Sequence, residues 1–458
     1  MIVERLLAEL GPDIVTAGDD IPDRNRKDWS GLPPVLPLAL IRPRNTDQVA
    51  AVLRLCNALG TPVVTQGGLS GLCGGAHPLA GGVALSLERM NRVLSVDPTQ
   101  ATLTAEAGCI LQTAQAAAAD AGMLLAVDLG GRGSCTLGGI ISTNAGGNQV
   151  LRYGMTRDHV LGLTAVLADG TVLPAMNRLL KNNVGLDLKQ LFIGAEGTLG
   201  VVTEAVFRLH PRPTHSATAF AGLPDSAAML ALLARARAAL GPMLTSFEVM
   251  WPSFYDVMQA GSGAAHPLTG RHGVYVIVEA GGFDPATRDR LESLLAEAME
   301  AGVVEDAVIA ANLREERALW AVRESVSQYP RILGPITPFD IGIPLDRMIA
   351  AVAALESRIK ARWPDAQTLS YGHMGDSNLH LVVNVPSCGA AQPTKEIKTL
   401  VYDLTRDLGG TVSAEHGIGT LKRDVMGHSR SAAELATMRT IKAALDPRGI
   451  LNPGKVFA

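Results

Sequence analysis

Residues 62–75 read PVVTQGGLSGLCGG, a short apolar run followed directly by a glycine-rich cluster. Val63 and Val64 favour a strand, and glycine backbone after a strand can approach a bound anion closely through its N–H groups. A second stretch, GGRGSCTLGGIISTNAGG at 130–147, adds hydroxyl groups to the backbone amides. Together the two stretches predict a cradle for a pyrophosphate, although tight turns in a β-rich domain would use the same residues.

Neither stretch has the glycine spacing of a Rossmann dinucleotide site. The fingerprint G-x-G-x-x-G fails because Thr136 stands where a third glycine would follow Gly131 and Gly133. Residues 449–455, GILNPGK, fit most of a phosphate-loop pattern, but Val456 replaces the required Ser or Thr. A nicotinamide cofactor is therefore disfavoured, and the phosphate-loop match is interpreted as accidental.

The length and composition predict a globular chain of two domains. It has 458 residues, of which 47% are hydrophobic and 18% are charged, and single cores usually stop growing at a smaller size. Thr46 is predicted to cap a helix that ends at Gly60. After Pro211, amphipathic helices at 225–240 and 346–362 alternate with apolar strands at 274–278 and 379–385, which indicates a second, α+β domain.

The charges exclude several classes of partner. The net charge of −4 is scattered along the chain, which argues against a nucleic-acid surface. Charged residues interrupt the apolar character of the first ten positions, and no later apolar run is long enough to span a bilayer. From these features we expect a cytoplasmic protein without a transmembrane segment.

The five cysteines carry no pattern of redox or metal chemistry. Their wide spacing, without Cys-x-x-Cys, makes a disulfide framework or a sulfur-ligated cluster improbable, so we expect small buried side chains. They are Cys56, Cys73, Cys109, Cys135 and Cys388.

Two histidine motifs carry a candidate metal site. Residues 373–380, HMGDSNLH, place His373 and His380 around a turn, where a hairpin would bring the imidazoles together. Residues 413–419, SAEHGIG, add the carboxylate of Glu415 and a third histidine, His416. Two imidazoles and one carboxylate are typical of an open zinc site, whereas an isolated histidine is more often a core residue.

These stretches resemble a known family when they are combined with Tyr153-Gly154, residues 185–200 (GLDLKQLFIGAEGTLG) and residues 445–455. The chain is similar, over nearly everything after Arg42, to the FAD-binding oxidases and dehydrogenases of the vanillyl-alcohol oxidase class, in the D-2-hydroxyglutarate and D-lactate dehydrogenase branch. The resemblance implies an α+β fold. It places a two-part FAD-binding domain at 1–212 and an α+β substrate and metal domain with an antiparallel sheet at 213–425. Residues 426–458 would pack back toward the flavin.

The resemblance also implies the residues that hold FAD. The cofactor would be bound without a covalent link, because no His or Cys matches the tethering positions of the family. The implied cofactor-binding residues are Gly67, Gly68, Leu69, Ser70, Gly71, Gly74, Gly75, Ser134, Thr136, Gly138, Gly139, Thr143, Asn144, Gly147, Gly197, Gly200, Val201, Val202 and Asn452.

The same resemblance assigns roles in the second domain. His373, His380 and Glu415 match the ligands of a divalent metal, with zinc favoured, and His416 matches the catalytic base. The residues that match substrate contacts are Arg323, Ser327 and Asn378.

The implied reaction is oxidation of a D-2-hydroxy acid to the 2-oxo acid, with D-2-hydroxyglutarate or D-malate as favoured substrates. Pro338 stands where the family has a lysine for the distal carboxylate, so a D-lactate dehydrogenase stays the alternative. An electron-transfer flavoprotein or a quinone-linked acceptor and a homodimer are the implied partners. Two other classes stay open: a metal-dependent hydrolase with structural glycine loops, and a non-catalytic flavin or metal carrier.

Overall fold

The structure is a computed structural model and describes residues 2–457. The strands are β1 (Val15–Ala17), β2 (Ala39–Ile41), β3 (Val63–Gln66), β4 (Val83–Ser86), β5 (Val93–Asp97), β6 (Thr102–Glu106), β7 (Met123–Leu124), β8 (Val160–Val166), β9 (Val172–Ala175), β10 (Val201–Arg208), β11 (His210–Pro211), β12 (His215–Leu223), β13 (Leu244–Met250), β14 (Val274–Gly282), β15 (Asp306–Ile309), β16 (Thr337–Gly342), β17 (Gln367–His373) and β18 (Asn378–Asn384). The helices are α1 (Ile2–Leu10), α2 (Thr46–Leu59), α3 (Leu111–Asp120), α4 (Leu137–Thr143), α5 (Val150–Tyr153), α6 (Thr156–His159), α7 (Ser226–Leu240), α8 (Pro252–Ser262), α9 (Thr287–Glu300), α10 (Leu313–Trp320), α11 (Tyr329–Ile332), α12 (Met348–Arg362), α13 (Thr394–Asp407) and α14 (Ala432–Leu445).

The chain divides into two compact units. The first comprises the described residues up to Gly147, Gly154–Arg212 and the described residues from Glu415 onward, and the second comprises Asn148–Tyr153 and Pro213–Ala414. The predicted domains had one boundary after residue 212 and another after residue 425. In the structure the chain passes back into the first unit at Glu415, and α5 belongs to the second unit.

The first unit contains a four-stranded sheet of order β1-β2-β4-β3, a five-stranded sheet of order β5-β6-β10-β8-β9 and the pair β11-β7. The pairs β2/β4 and β3/β4 are parallel, and the five-stranded sheet is antiparallel. Strand β3 ends at Gln66, so the first glycine cluster begins directly at the end of a parallel strand.

The residue that caps the N-terminus of helix α2 differs from the sequence prediction. The N-cap is Asn45, not Thr46, and its side chain accepts a hydrogen bond from the Gln48 N–H. Asn45 has extended backbone, which lets its side chain fold over the orphan N–H groups of the first turn. Gly60 ends the helix in the left-handed region, as predicted.

The C-terminal residues are fixed against the strand that precedes the first glycine cluster. Val63 donates its N–H to the Ile450 carbonyl, and Asn452 donates its N–H to the Val63 carbonyl, each over 2.7–2.8 Å. The Asp446 carboxylate holds the turn in this tail by accepting from the Ile450 and Leu451 N–H groups. The tail therefore extends the β3 edge of the first unit.

The second unit is a seven-stranded sheet of order β15-β12-β14-β13-β17-β18-β16, in which every pairing is antiparallel. This confirms the predicted α+β class with an antiparallel sheet. An aromatic core that includes Phe220, Phe254, Tyr255, Tyr275 and Tyr371 packs on it. Tyr371 of this core lies on β17, the strand that ends at His373.

The cysteines are free thiols, and all but Cys388 are buried. Burial raises the pKa of Cys56 to about 12 and those of Cys109 and Cys135 to about 11. These three thiols stay protonated at neutral pH and act as small apolar side chains.

Candidate active site

The two glycine stretches of the first unit pack backbone against backbone. A Cβ on Gly68 would lie 1.9 Å from the Ser134 carbonyl oxygen, and one on Gly67 would lie 2.4 Å from the Thr136 hydroxyl oxygen. A side chain at either position would push the stretches apart. By contrast, a Cβ on Gly71, Gly130 or Gly131 would meet nothing within 4 Å. The two stretches therefore contact each other closely at Gly67 and Gly68 and leave open space beside Gly71, Gly130 and Gly131. This arrangement fits a dinucleotide cofactor.

Helix α4 begins inside the second glycine stretch. The Thr136 side chain accepts from the Gly139 N–H, and Asn144 ends the helix in the left-handed region at φ +50°. The Asn144 side chain accepts from the Arg157 N–H, and the Thr143 hydroxyl donates to the Gly139 carbonyl. Thr143 and Asn144 thus shape the second stretch through bonds within the first unit.

Asn452 joins three parts of the predicted cofactor site. Its side-chain amide donates to the Glu196 carbonyl over 2.6 Å, and its side-chain oxygen accepts from the Thr65 N–H over 3.2 Å. A Cβ on Gly197 would come within 3.0 Å of the same amide nitrogen. Asn452 therefore holds the segment before Gly197 against β3. Val201 and Val202 are buried in β10.

Two buried charged residues near these stretches were missed by the sequence reasoning. Glu196 accepts from the Ile418 and Gly419 N–H groups over 2.7 and 2.8 Å, and burial raises the pKa of its carboxyl group. Lys455 donates to the carbonyls of Gly75 and His77, and burial lowers the pKa of its amine to about 8. Both lie within motifs quoted above, where a charge among glycines and apolar residues was the available signal.

In the second unit, one face of the sheet carries a row of polar side chains across four adjacent strands. Glu248 on β13 is opposite His373 on β17, Tyr371 on β17 is opposite His380 on β18, and His380 is opposite Asp340 on β16. The rings of His373 and His380 have centroids 5.4 Å apart. The strand pairing therefore brings together the two histidines of the predicted metal set.

Glu248 fixes the orientation of His373. This carboxylate is buried and lies 2.5 Å from His373 Nδ1, while the Arg323 Nε donates to its other oxygen over 2.9 Å. The Glu248 carboxylate can only accept a hydrogen bond, so it favours the tautomer with the proton on Nδ1 and leaves on Nε2 the lone pair that a metal requires. Burial opposes the charge on Glu248, but His373 and Arg323 outweigh it and lower the pKa of the carboxyl group. A carboxylate inside the apolar run 244–250 was the signal that the sequence reasoning passed over.

Glu415 and His416 follow Ala414, the last residue of the second unit, and are half-buried. Ser413, just before them, donates to the Asp340 carboxylate over 3.2 Å. His373, His380 and Asp340 belong to the second unit, and Glu415 and His416 begin the segment that belongs to the first unit. Glu415 also accepts from the Gly147 N–H over 2.7 Å. The donor set of two imidazoles and a carboxylate suits zinc or a similar divalent ion.

Two of the three predicted substrate residues are buried and the third is exposed. Arg323 is buried, and its guanidinium nitrogen lies 3.4 Å from His373 Nε2. Asn378 is buried and donates to the Asp340 carboxylate over 3.2 Å. Ser327 is exposed, and the structure does not bring it to the face of Arg323. Pro338 is also exposed, on the edge strand β16.

A glycine-built cofactor unit and a polar sheet face define the class of a flavin-dependent oxidoreductase, and comparison with known proteins gives the family. The model of FAD linked oxidases, C-terminal domain, matches residues 212–456, and that of the FAD binding domain matches residues 37–175. The first match covers more than half of the chain, so this protein belongs to the family of FAD linked oxidases. It binds FAD.

The relatives carry one recurring name. The chain is 40% identical over 425 residues to D-2-hydroxyglutarate dehydrogenase, mitochondrial, of Bos taurus, covering 91% of this chain and 76% of that protein. It is 37% identical to the probable mitochondrial D-2-hydroxyglutarate dehydrogenase of Oryza sativa subsp. indica, covering 98% and 80%. The structure of p-cresol methylhydroxylase has the same fold, with a TM-score of 0.80 at 17% identity over 99% of this chain and 96% of that one. The predicted vanillyl-alcohol oxidase type of fold is confirmed.

The prediction of a cytoplasmic location is wrong by this comparison, because both of these relatives are named as mitochondrial proteins. The prediction rested on charges near the first residues, which do not determine the compartment. None of the helices among residues 2–457 combines the length and apolar character needed to cross a bilayer.

The backbone packing of the glycine stretches gives the first testable prediction. We expect Gly68→Ala to lose most of its FAD, because the new Cβ would collide with the Ser134 carbonyl, which is backbone and cannot turn away. Gly81→Ala, in the same unit but outside both glycine stretches and with nothing within 4 Å of the new Cβ, is the matched control and should bind FAD as the native protein does. The measurement is the flavin absorbance released per folded protein on acid precipitation. Equal FAD content in both variants would contradict the close packing of the two stretches.

Proposed function

We propose that this protein is an FAD-dependent, metal-assisted dehydrogenase that oxidises a D-2-hydroxy acid to the 2-oxo acid, with D-2-hydroxyglutarate or D-malate as preferred substrates. The observation that carries the proposal is the polar row on one face of the second unit, where Arg323 lies beside the histidine pair. A carboxylate anchor next to a potential metal site is what a hydroxy acid needs. The names of the relatives support the same substrate class.

We infer that FAD is bound without a covalent link by the residues of the glycine stretches, Gly197, Gly200, Val201, Val202 and Asn452. His373, His380 and Glu415 would hold the metal, for which zinc is favoured. When they are bound, FAD supplies the acceptor for the hydride and the metal supplies a Lewis acid for the hydroxyl oxygen.

The protein's own side chains bind and orient the substrate and accept its hydroxyl proton. Arg323 binds a substrate carboxylate through its planar fork and, with Asn378, orients the reacting carbon. His416 accepts the hydroxyl proton as general base. Ser327 could contribute to the same carboxylate only by turning inward from its exposed position. For the partners, we propose an electron-transfer flavoprotein or a quinone-linked acceptor, and a homodimer.

The reaction is tested by anaerobic mixing of the FAD-loaded protein with D-2-hydroxyglutarate, D-malate, D-lactate and the L-enantiomers while the flavin absorbance is followed. We expect bleaching by the D-dicarboxylates and none by the L-acids. In Arg323→Ala, kcat/KM for the dicarboxylates should fall roughly thirtyfold or more, which corresponds to a loss of about 2 kcal/mol of transition-state stabilisation. The value for D-lactate should fall far less. Equal losses on all three would assign Arg323 to the shared carboxylate. No bleaching by any hydroxy acid would refute the proposed function.

The metal is tested by exhaustive chelation of the holoenzyme. We expect turnover to disappear while the flavin spectrum stays, because His373 and His380 are on strands of the second unit, whereas the glycine stretches belong to the first unit. His380→Ala should resemble the chelated protein. His416→Ala should keep its metal but lose about a hundredfold or more in kcat, the usual scale for a general base. Full activity at a metal content measured as zero would exclude the metal-assisted reaction.

Glu248 gives a prediction about metal affinity itself. Glu248→Gln should lower the affinity for the metal by about tenfold to a hundredfold, because the amide no longer supplies the charged acceptor that fixes the His373 tautomer. Glu356→Gln is the control, since this half-buried carboxylate is on α12 in the same unit. The readout is metal retained at graded chelator concentrations. Identical retention in both folded variants would mean that Glu248 serves packing alone.

A further inference from the structure

Tyr329 carries a buried hydroxyl group that the site described so far does not use. Its side chain is 6% exposed, and the hydroxyl oxygen makes no hydrogen bond among residues 2–457. The Tyr371 phenol is a neighbour, with ring centroids 6.4 Å apart, and, besides burial, its proximity contributes to the raised pKa of Tyr329. A buried hydroxyl without a partner is unfavourable by about 1–3 kcal/mol, so a substrate group that accepts a hydrogen bond from it would gain binding free energy.

The local helix geometry directs Tyr329 to the side of Arg323. Residues Arg323–Gln328 form a 3-10 helix, and α11 begins at Tyr329. In a 3-10 helix, side chains three residues apart lie above one another, so Arg323 and Val326 share one face. The Tyr329 N–H donates to the Val326 carbonyl in the same i to i+3 pattern, which continues this face to Tyr329. Ser327 would share that face only at the i+4 spacing of an α-helix. This accounts for the exposure of Ser327 and the burial of Tyr329.

The surroundings of Tyr329 lead to the histidine pair. The Arg323 guanidinium carbon lies 4.7 Å from the centroid of the Tyr371 ring, and the Tyr371 ring lies 4.9 Å from that of His380. Tyr329, Arg323 and Tyr371 are therefore consecutive neighbours on the side of the polar row that leads away from Asp340. A carboxylate bound there would lie beyond the reacting carbon of a substrate held at His373 and His380.

We propose that the Tyr329 hydroxyl is a specificity-determining donor that binds, together with Arg323, the distal carboxylate of a dicarboxylic D-2-hydroxy acid. The inference rests on the proposed function and narrows it to dicarboxylates. A neutral donor beside the guanidinium adds a hydrogen bond without a second buried positive charge. It also supplies the contact that Pro338, exposed and without a charge, does not provide.

The protonation state of the phenol agrees with this role. Burial raises the pKa of Tyr329 well above that of a free phenol. The group therefore stays protonated throughout the neutral range and donates its hydrogen to an anion.

A purely structural role is the competing explanation, since Phe254 and Tyr329 make an edge contact with centroids 6.4 Å apart. Tyr329→Phe separates the two, because it keeps the ring and removes only the oxygen. If the hydroxyl has no partner in the free protein, its removal should leave Tm unchanged or raise it. If the hydroxyl binds substrate, the same change weakens dicarboxylate binding.

The experiment compares native protein, Tyr329→Phe and Tyr255→Phe, all loaded with FAD and metal. Tyr255 is in the same aromatic core, but its hydroxyl already bonds His266 Nδ1 over 2.7 Å, so it is the matched control. One arm measures calorimetric binding of glutarate, with butyrate as the monocarboxylate. The other measures kcat/KM for D-2-hydroxyglutarate, D-malate and D-lactate, and Tm is recorded for each protein.

We expect Tyr329→Phe to weaken glutarate binding and to lower kcat/KM for both dicarboxylates by about tenfold or more, with butyrate, D-lactate and Tm nearly unchanged. Tyr255→Phe should leave every kinetic value unchanged. Unaltered glutarate binding and dicarboxylate turnover in folded Tyr329→Phe, or equal losses on all ligands, would overturn the role of Tyr329. A native protein that binds glutarate through Tyr329 but oxidises no hydroxy acid would instead overturn the proposed function alone.

Discussion

The second unit depends on one buried carboxylate. Glu248 is 1% exposed and is bonded to both His373 and Arg323, so a negative charge in the core is matched by two groups with functional roles in the proposed reaction. Removal of one partner from such a buried set leaves a charge uncompensated, which typically destabilises by about 3–5 kcal/mol. The same bonds orient the imidazole and the guanidinium, so stability and preorganisation of the polar face have a common origin.

The first unit solves a different problem, which is to place backbone close to a large cofactor. Side chains are excluded where the glycine stretches meet, and left-handed residues such as Asn144 and Glu196 turn the chain between them. The tail then closes the arrangement, because Asn452 bonds both the Glu196 carbonyl and β3. Residues far apart in sequence thus share one cradle, and its charged members, Glu196 and Lys455, are held at perturbed pKa values by burial.

The sequence was informative where a function needs a local pattern. Each glycine cluster and the pair of histidines around a turn could be recognised because each lies within one short stretch of sequence, whereas the packing of the two clusters against each other is visible only in the structure. It was less informative about α2, where Asn45 rather than Thr46 supplies the cap, since adjacent capping residues compete and only backbone geometry selects one. The location was predicted wrongly because surface charge near the first residues carries little information about compartment.

The sequence by itself determined the class of fold and the FAD-binding family, and it named candidate groups for a metal site. Only the tertiary structure decided which polar groups are partners, because strand pairing joins residues that are distant along the chain: Glu248 meets His373 across β13 and β17, and Asp340 meets His380 across β16 and β18. It also decided that Tyr329 rather than Ser327 shares a face with Arg323. The physical reason is that the sequence pattern did not distinguish a 3-10 helix, with about 3.0 residues per turn, from an α-helix, with about 3.6, whereas the hydrogen bonds of the folded chain do.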